Sequence, residues 1–375
     1  MKPLRIIRLF VRRLLAIALG IAALSAAGAE QSGREKSQAQ FLQLCDLAAS
    51  HIRVETNKGA FFIDSYAIRA LCVAYNLTGK KSYLEACQKW SDRMVAFQEK
   101  MIPQNAYYMN YNRKPGQDKG GWYVADSSSI AMGVLATAVR CQGAGQRRYL
   151  DSAKAFAKLV MDNYIAETGG VRNGAWPKST DEWWCSTGIF GSLAALLFDE
   201  TGDEQYLKAA LGAVDWLNQQ DLTKDERMPE YALSKMGPTK LMYVLEAYSA
   251  GLSHLEPGSP RHKAALKQIS WCAQWMGEQQ SQPPAGRAWP CDRGWGMKFG
   301  GLPFHQYVYA RLLPGRRDFS TAADREMDQL ASVLFAKKPE YSQLVVFMMM
   351  SYSERLCPGA IYRNSRTPNH PSPKR

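Results

Sequence analysis

Two aspartates occupy equivalent places in the chain. Asp64 in FFIDSYAIRA and Asp126 in YVADSSSIA each stand directly before a serine where an apolar helical pattern opens. Two carboxylates held at the mouths of neighbouring helices are what acid/base cleavage of a glycosidic bond needs, one as proton donor and one as base or nucleophile. The same Asp-Ser pair also suits a helix N-cap, worth about 0.5–2 kcal/mol, so capping and catalysis are competing readings at both positions. Asp126 leads the catalytic reading and Asp64 follows it, with Asp181, Glu182, Glu230 and Asp292 as reserve carboxylates.

Around these acids the chain concentrates aromatic and hydrogen-bonding residues in four segments: NAYYMNYNRKPGQDKGGWYVADSS (105–128), NGAWPKSTDEWWCSTG (173–188), MPEYALSK (228–235) and AWPCDRGWGMKFGGLPFHQY (288–307). Sugars are bound by such mixtures, because their C–H faces stack on Trp and Tyr while their hydroxyls need fixed polar partners. The expected substrate contacts are Tyr107, Tyr111, Arg113, Trp122, Trp183, Trp184, Glu230, Trp289, Asp292, Trp295 and His305. The alternative for the tryptophans is that they pin loops onto the body of the protein. A second chemistry is available to the same residues: Tyr111 or His305 as base, with Asn110, Asn112 and Arg113 neutralising a uronate carboxylate, is the constellation for β-elimination. A third reading is binding without catalysis, for which the aromatic loops alone suffice.

Other chemistries leave no trace. The chain has no G-x-S-x-G elbow, H-E-x-x-H pair, phosphate-binding loop, dinucleotide fingerprint or EF-hand spacing, and no C-x-x-C. No cofactor and no metal site is expected on motif grounds, although a calcium ion held by loop carboxylates would leave no signature.

The elements that must position the acids are helices. Helical periodicity runs over roughly 38–56, 62–78, 81–101, 125–142, 146–165, 185–200, 203–220, 238–254, 261–279, 303–313, 319–336 and 339–356, without an alternating strand pattern. Three segments, LTGKKSYLEACQKW, CQGAGQRRYLDSAKAF and DETGDEQYLKAALGAVDW, repeat one theme: a glycine, a short turn and a Tyr-Leu-x-x-Ala/Cys helix start. Turns from even to odd helices are therefore short. The connections 102–124, 166–184, 221–237 and 280–302 are long and all run from odd to even, so in an antiparallel hairpin ring they gather on one face. Even helices such as SSSIAMGVLATAVRC are small and apolar all round, as an inner ring demands, whereas DSAKAFAKLVMDNY keeps a charged stripe. The expected fold is an all-α (α/α)6 toroid of six hairpins spanning 30–357, with a superhelical array of hairpins as the competing arrangement.

The ends carry different information. MKPLRIIRLFVRR followed by LLAIALGIAALSAA and Ala27-Gly28-Ala29 reads as a signal peptide over 1–29, which implies a secreted or periplasmic protein with no membrane association after cleavage. Residues 358–375, Pro-rich and basic, read as a disordered tail. Leader and tail hold much of the formal charge of +13. The remaining bias is mild: it fits an anionic substrate and excludes the basic stripe of a nucleic-acid binder. Of the eight cysteines, six fall within or beside apolar helical patterns and read as buried thiols. A bridge between Cys185 and Cys291 stays open.

The paired helices, the recurring Tyr-Leu-x-x-Ala after Thr-Gly turns and the aromatic loops resemble the six-hairpin glycosidase superfamily, nearest the unsaturated uronyl hydrolases. The resemblance implies the (α/α)6 fold and an aspartate opening an inner helix that hydrates the substrate's double bond as general acid and base, a placement that Asp126 and Asp64 match. The expectation is an exported enzyme that cleaves glycosidic bonds of a uronate-containing polysaccharide or oligosaccharide by hydrolysis; its alternatives are a polysaccharide lyase and a non-catalytic glycan-binding protein.

Overall fold

The computed structural model describes residues 31, 33–52, 60–110, 114–117, 122–174, 182–220, 237–281 and 296–362; over 237–242, 275–281 and 296–302 it describes the backbone alone. The expected leader and the residues from 363 onward lie outside these. Among the described residues there are twelve α-helices and no strand. They are α1 (33–52), α2 (Phe61–Thr78), α3 (Lys81–Gln98), α4 (Val124–Ala138), α5 (Gly143–Asn163), α6 (Trp184–Thr201), α7 (Glu204–Gln219), α8 (Gly237–Gly251), α9 (Pro260–Ser281), α10 (Gly296–Leu312), α11 (Arg317–Phe335) and α12 (Gln343–Leu356). None is long and apolar enough to cross a membrane.

The even helices form a closed ring. Each packs on the next, α2 on α4, α4 on α6, α6 on α8, α8 on α10, α10 on α12, and α12 returns to α2. The odd helices pack outside them, so the fold is the (α/α)6 toroid and not an open superhelix. Ring closure follows from composition: every residue of α4 is buried, as are Trp184 through Leu197 of α6. Such a helix is stable only when apolar neighbours surround it. Glycine sets the closest approach, because a Cβ at Gly188 would stand 2.2 Å from the backbone oxygen of Tyr243, so α6 and α8 meet here through backbone alone.

Two of the three repeated turns behave as expected, whereas α4 ends at its C-cap Val139 and Gly143 opens α5. Gly79 and Gly202 close α2 and α6 with positive φ of 69° and 70°, and their N–H groups donate to Tyr75 and Phe198 carbonyls. Several helix starts differ from the sequence expectation, α1 at 33 in place of 38 and α5 at Gly143 in place of 146 among them. The last helix begins at Gln343 and not at 339, because the Ser342 hydroxyl accepts from the Val345 N–H and caps it there. α10 begins seven residues before the expected 303 and carries Pro303 inside it. Ala360–Tyr362 form a 3₁₀ turn with all three residues buried, so 358–362 belong to the folded body. Cys45, Cys72, Cys87, Cys141, Cys185 and Cys272 are buried free thiols, and Cys291 lies outside the described residues.

One buried acid faces inward from the outer ring. Glu326 on α11 is 5% exposed and accepts from the Gln306 side chain at 3.4 Å. Burial raises its pKa to about 7, against the lesser opposing pull of Gln306 and Arg325. A raised folded-state pKa means that the folded protein binds the proton more tightly than the unfolded chain, so stability falls as pH rises through 7. Urea midpoints at pH 5 and pH 8 should therefore fall with pH, and Glu326→Gln should flatten that fall; an unchanged slope in the variant would contradict the assignment.

Candidate functional site

Odd-to-even connections open onto the N-terminal ends of the inner helices, where Asp64 and Asp126 sit. The capping reading does not apply to either. The N-cap residues are Ala60 and Tyr123, neither makes a side-chain cap bond, and the aspartates stand inside the first turn. There the helix dipole favours a negative charge. The two turns are tied together by the Ser65 and Ser129 hydroxyls at 2.6 Å, with Ser129 also donating to the Phe62 carbonyl. The carboxylates therefore belong to adjacent, locked helix ends.

Their surroundings differ. Asp126 keeps 8% exposure, whereas Asp64 has 1%. The Tyr341 hydroxyl donates to Asp64 Oδ1 at 2.7 Å, and the Tyr341 ring stacks on His51 with centroids 4.1 Å apart. A phenol donating to a carboxylate favours its ionised form. The same contact, together with burial as the larger cause, drives the Tyr341 hydroxyl to a higher pKa, so it remains a donor. His51 and Tyr341 were not expected here. The signal for His51 was the topology: α1 is an odd helix, so its C-terminal end lies on the loop-rich face.

Loop roots are fastened to the same ends. Asn110, at φ 65°, accepts from the Phe61 N–H through Oδ1 and so supplies α2 with the cap that Ala60 lacks. Tyr108 packs edge-on against Phe61 and Phe97. The next loop is stitched to two inner helices, Val124 N–H to the Asn173 carbonyl, the Ser186 hydroxyl to Asn173 Oδ1 and Val171 N–H to Thr187 Oγ1. Glu182 anchors this loop, accepting from Thr168 at 2.6 Å and from the Trp216 indole of α7. Trp183 is the half-buried N-cap of α6 and Trp184, 9% exposed, follows it.

Three expected contacts stand elsewhere. Tyr107 is fully buried and its hydroxyl pairs with Ser152 of α5 at 2.6 Å. Trp122 is fully buried, edge-on to Phe156 and Tyr164, so it pins the loop onto the outer ring. His305 lies well inside α10, 3% exposed, on the face that also carries Tyr309, which packs against Phe319 of α11. Burial lowers its pKa to about 3. These placements correct the sequence expectation: alternation of aromatic and polar residues does not distinguish a loop's wall from its root, and the helix extends farther around His305 than periodicity indicated. Tyr111, Arg113, Glu230, Trp289, Asp292 and Trp295 lie outside the described residues, as do Asp181, Asn112 and Trp176. Among the described residues no group of His, Cys, Asp or Glu has the arrangement of a metal site.

Residues 50–232, just under half of the chain and including both aspartates, match the family model of glycosyl hydrolase family 76. An α-1,6-mannanase from Salegentibacter sp., solved as an inactive variant with α-1,6-mannotriose, is similar at 14% identity and a TM-score of 0.58, over 85% of this chain and 99% of that one. The chain has the (α/α)6 fold of these six-hairpin glycosidases. With the family match, it is a glycoside hydrolase. A family 76 mannosidase from Bacteroides thetaiotaomicron aligns with a TM-score of 0.56 at 11% identity, over 87% of this chain and 98% of that one. An unsaturated glucuronyl hydrolase specific for heparin gives 0.57 at 10%, over 87% and 97%. No curated protein matches the chain.

For a glycosidase, the Tyr341–Asp64 bond is a test of the site. A hydrogen bond to a charged group is worth about 1.5–3 kcal/mol, so Tyr341→Phe should raise the proton affinity of Asp64. If Asp64 must be ionised for turnover, the acidic limb of kcat/KM moves to higher pH by about one unit. A variant with the wild-type pH profile would remove Asp64 from the reaction.

Proposed function

We propose that this protein is an exported family 76-type glycosidase that hydrolyses α-mannosidic bonds in polysaccharide or oligosaccharide, with Asp126 as acid and Asp64 as base. The observation that carries this reading is the coincidence of the family 76 match with both inner-helix aspartates. Asp126, the more exposed of the two carboxylates, is assigned the proton donor to the glycosidic oxygen. Asp64 accepts a hydrogen bond from the Tyr341 hydroxyl, a contact that favours a carboxylate and suits the base. Trp183, half-buried at the head of α6, offers an apolar surface for a sugar ring. Export rests on the leader pattern over 1–29.

One observation favours a second substrate. The mannanase variant is inactive with asparagine in place of two consecutive aspartates. This chain has no two adjacent aspartates anywhere in its sequence. A single aspartate opening an inner helix is the placement that the uronyl hydrolase resemblance implies, and Asp126 or Asp64 matches it. That supports unsaturated uronides as the competing substrate class.

Incubation with α-1,6-mannooligosaccharides and with lyase-generated uronide fragments, following reducing ends and ultraviolet absorbance, separates the two. New reducing ends from mannan with flat absorbance are expected; falling absorbance on uronides alone would replace mannan with the second substrate. On either substrate Asp126→Asn should lower kcat by 10²–10⁴, the usual range for loss of a general acid. Near wild-type turnover in that variant would overturn the assignment.

A further inference from the structure

The donor that Asp64 receives is itself held in place. While the Tyr341 hydroxyl donates to Asp64 Oδ1 at 2.7 Å, the His51 imidazole lies flat on the Tyr341 ring, with centroids 4.1 Å apart and planes 20° from parallel. Three elements meet in this chain of contacts. His51 stands in the last turn of α1, the first outer helix; Tyr341 stands in the connection 336–342 between α11 and α12; Asp64 stands in the first turn of α2.

Tyr341 needs such a support. The residues that lead to it, 336–338 and Glu340, are exposed, and only the side toward α12 is fixed, where Ser342 accepts from the Val345 N–H and caps that helix. The phenolic oxygen lies at the far end of the side chain, so a small swing of the ring carries it off Asp64, and a hydrogen bond weakens steeply as its angle closes. A second ring stacked on the first opposes that swing.

We propose that His51 is a positioning residue for the proposed reaction: by stacking on Tyr341 it keeps the phenolic hydroxyl on Asp64. It acts through Tyr341 and not on the sugar. The role needs the flat face of the imidazole and not its charge, so phenylalanine should serve in its place and alanine should not. The consequence for turnover rests on Asp64 being the base of the proposed function; the effect on Asp64 itself does not.

The test titrates Asp64 in the whole protein labelled at the aspartate carboxyl carbon, with Asp64→Asn assigning the signal. His51 is half-buried, so its replacement should leave the fold intact. His51→Ala should raise the Asp64 pKa by about half a unit, in the direction that Tyr341→Phe moves it. His51→Phe should return it to the wild-type value. In the Tyr341→Phe background, where no hydroxyl is left to place, His51→Ala should add no further shift. An Asp64 titration unmoved by His51→Ala, an equal shift in both backgrounds, or a phenylalanine variant that behaves as alanine would each overturn the positioning role. The acidic limb of kcat/KM should follow Asp64 through the same set of variants. Because the titration requires no substrate, a protein inactive on every sugar would overturn the proposed function while these shifts still decided the role of His51.

Discussion

Everything in this protein depends on six helices that are buried on all sides packing side by side around an axis. Such helices need small residues where they meet, which is why Gly188 faces the Tyr243 backbone and why serines and threonines line the inner ring. The outer helices supply the amphipathic cover. In this element order each odd-to-even connection leads into the N-terminal end of an inner helix. The loop-rich face is therefore a consequence of the ring.

That face offers positive helix-dipole ends, and two of them receive a carboxylate. The protein then treats the two differently. Asp64 is covered and given a phenolic donor, while Asp126 is left partly open. In the proposed reaction, environment and not residue type would separate the roles of the two aspartates. The loops contribute by bracing: Asn110 caps α2, Asn173 joins α4 to α6, and Glu182 reaches the outer ring at Trp216.

The architecture was legible because it is written in period and turn chemistry. Gly79 and Gly202 end helices where the Thr-Gly signal placed them, and the all-apolar helices proved to be the inner ring. The two aspartates were legible for the same reason, as the polar exceptions at apolar helix starts. Loop residues were not. Tyr107 and Trp122 share composition with a sugar-binding surface yet are packed against α5, a distinction that depends on which side of the chain faces inward. Tyr341 lies 277 positions from Asp64, and no local pattern announces a contact of that range.

On the proposed function, the sugar is cleaved at the N-terminal ends of the inner helices. A crystal structure of the Asp126→Asn variant soaked with an α-1,6-mannooligosaccharide tests this most directly. A sugar ring is expected beside Trp183, with a glycosidic oxygen within hydrogen-bond reach of residue 126. A sugar bound on the opposite face, or along the outer helices with residue 126 untouched, would contradict it.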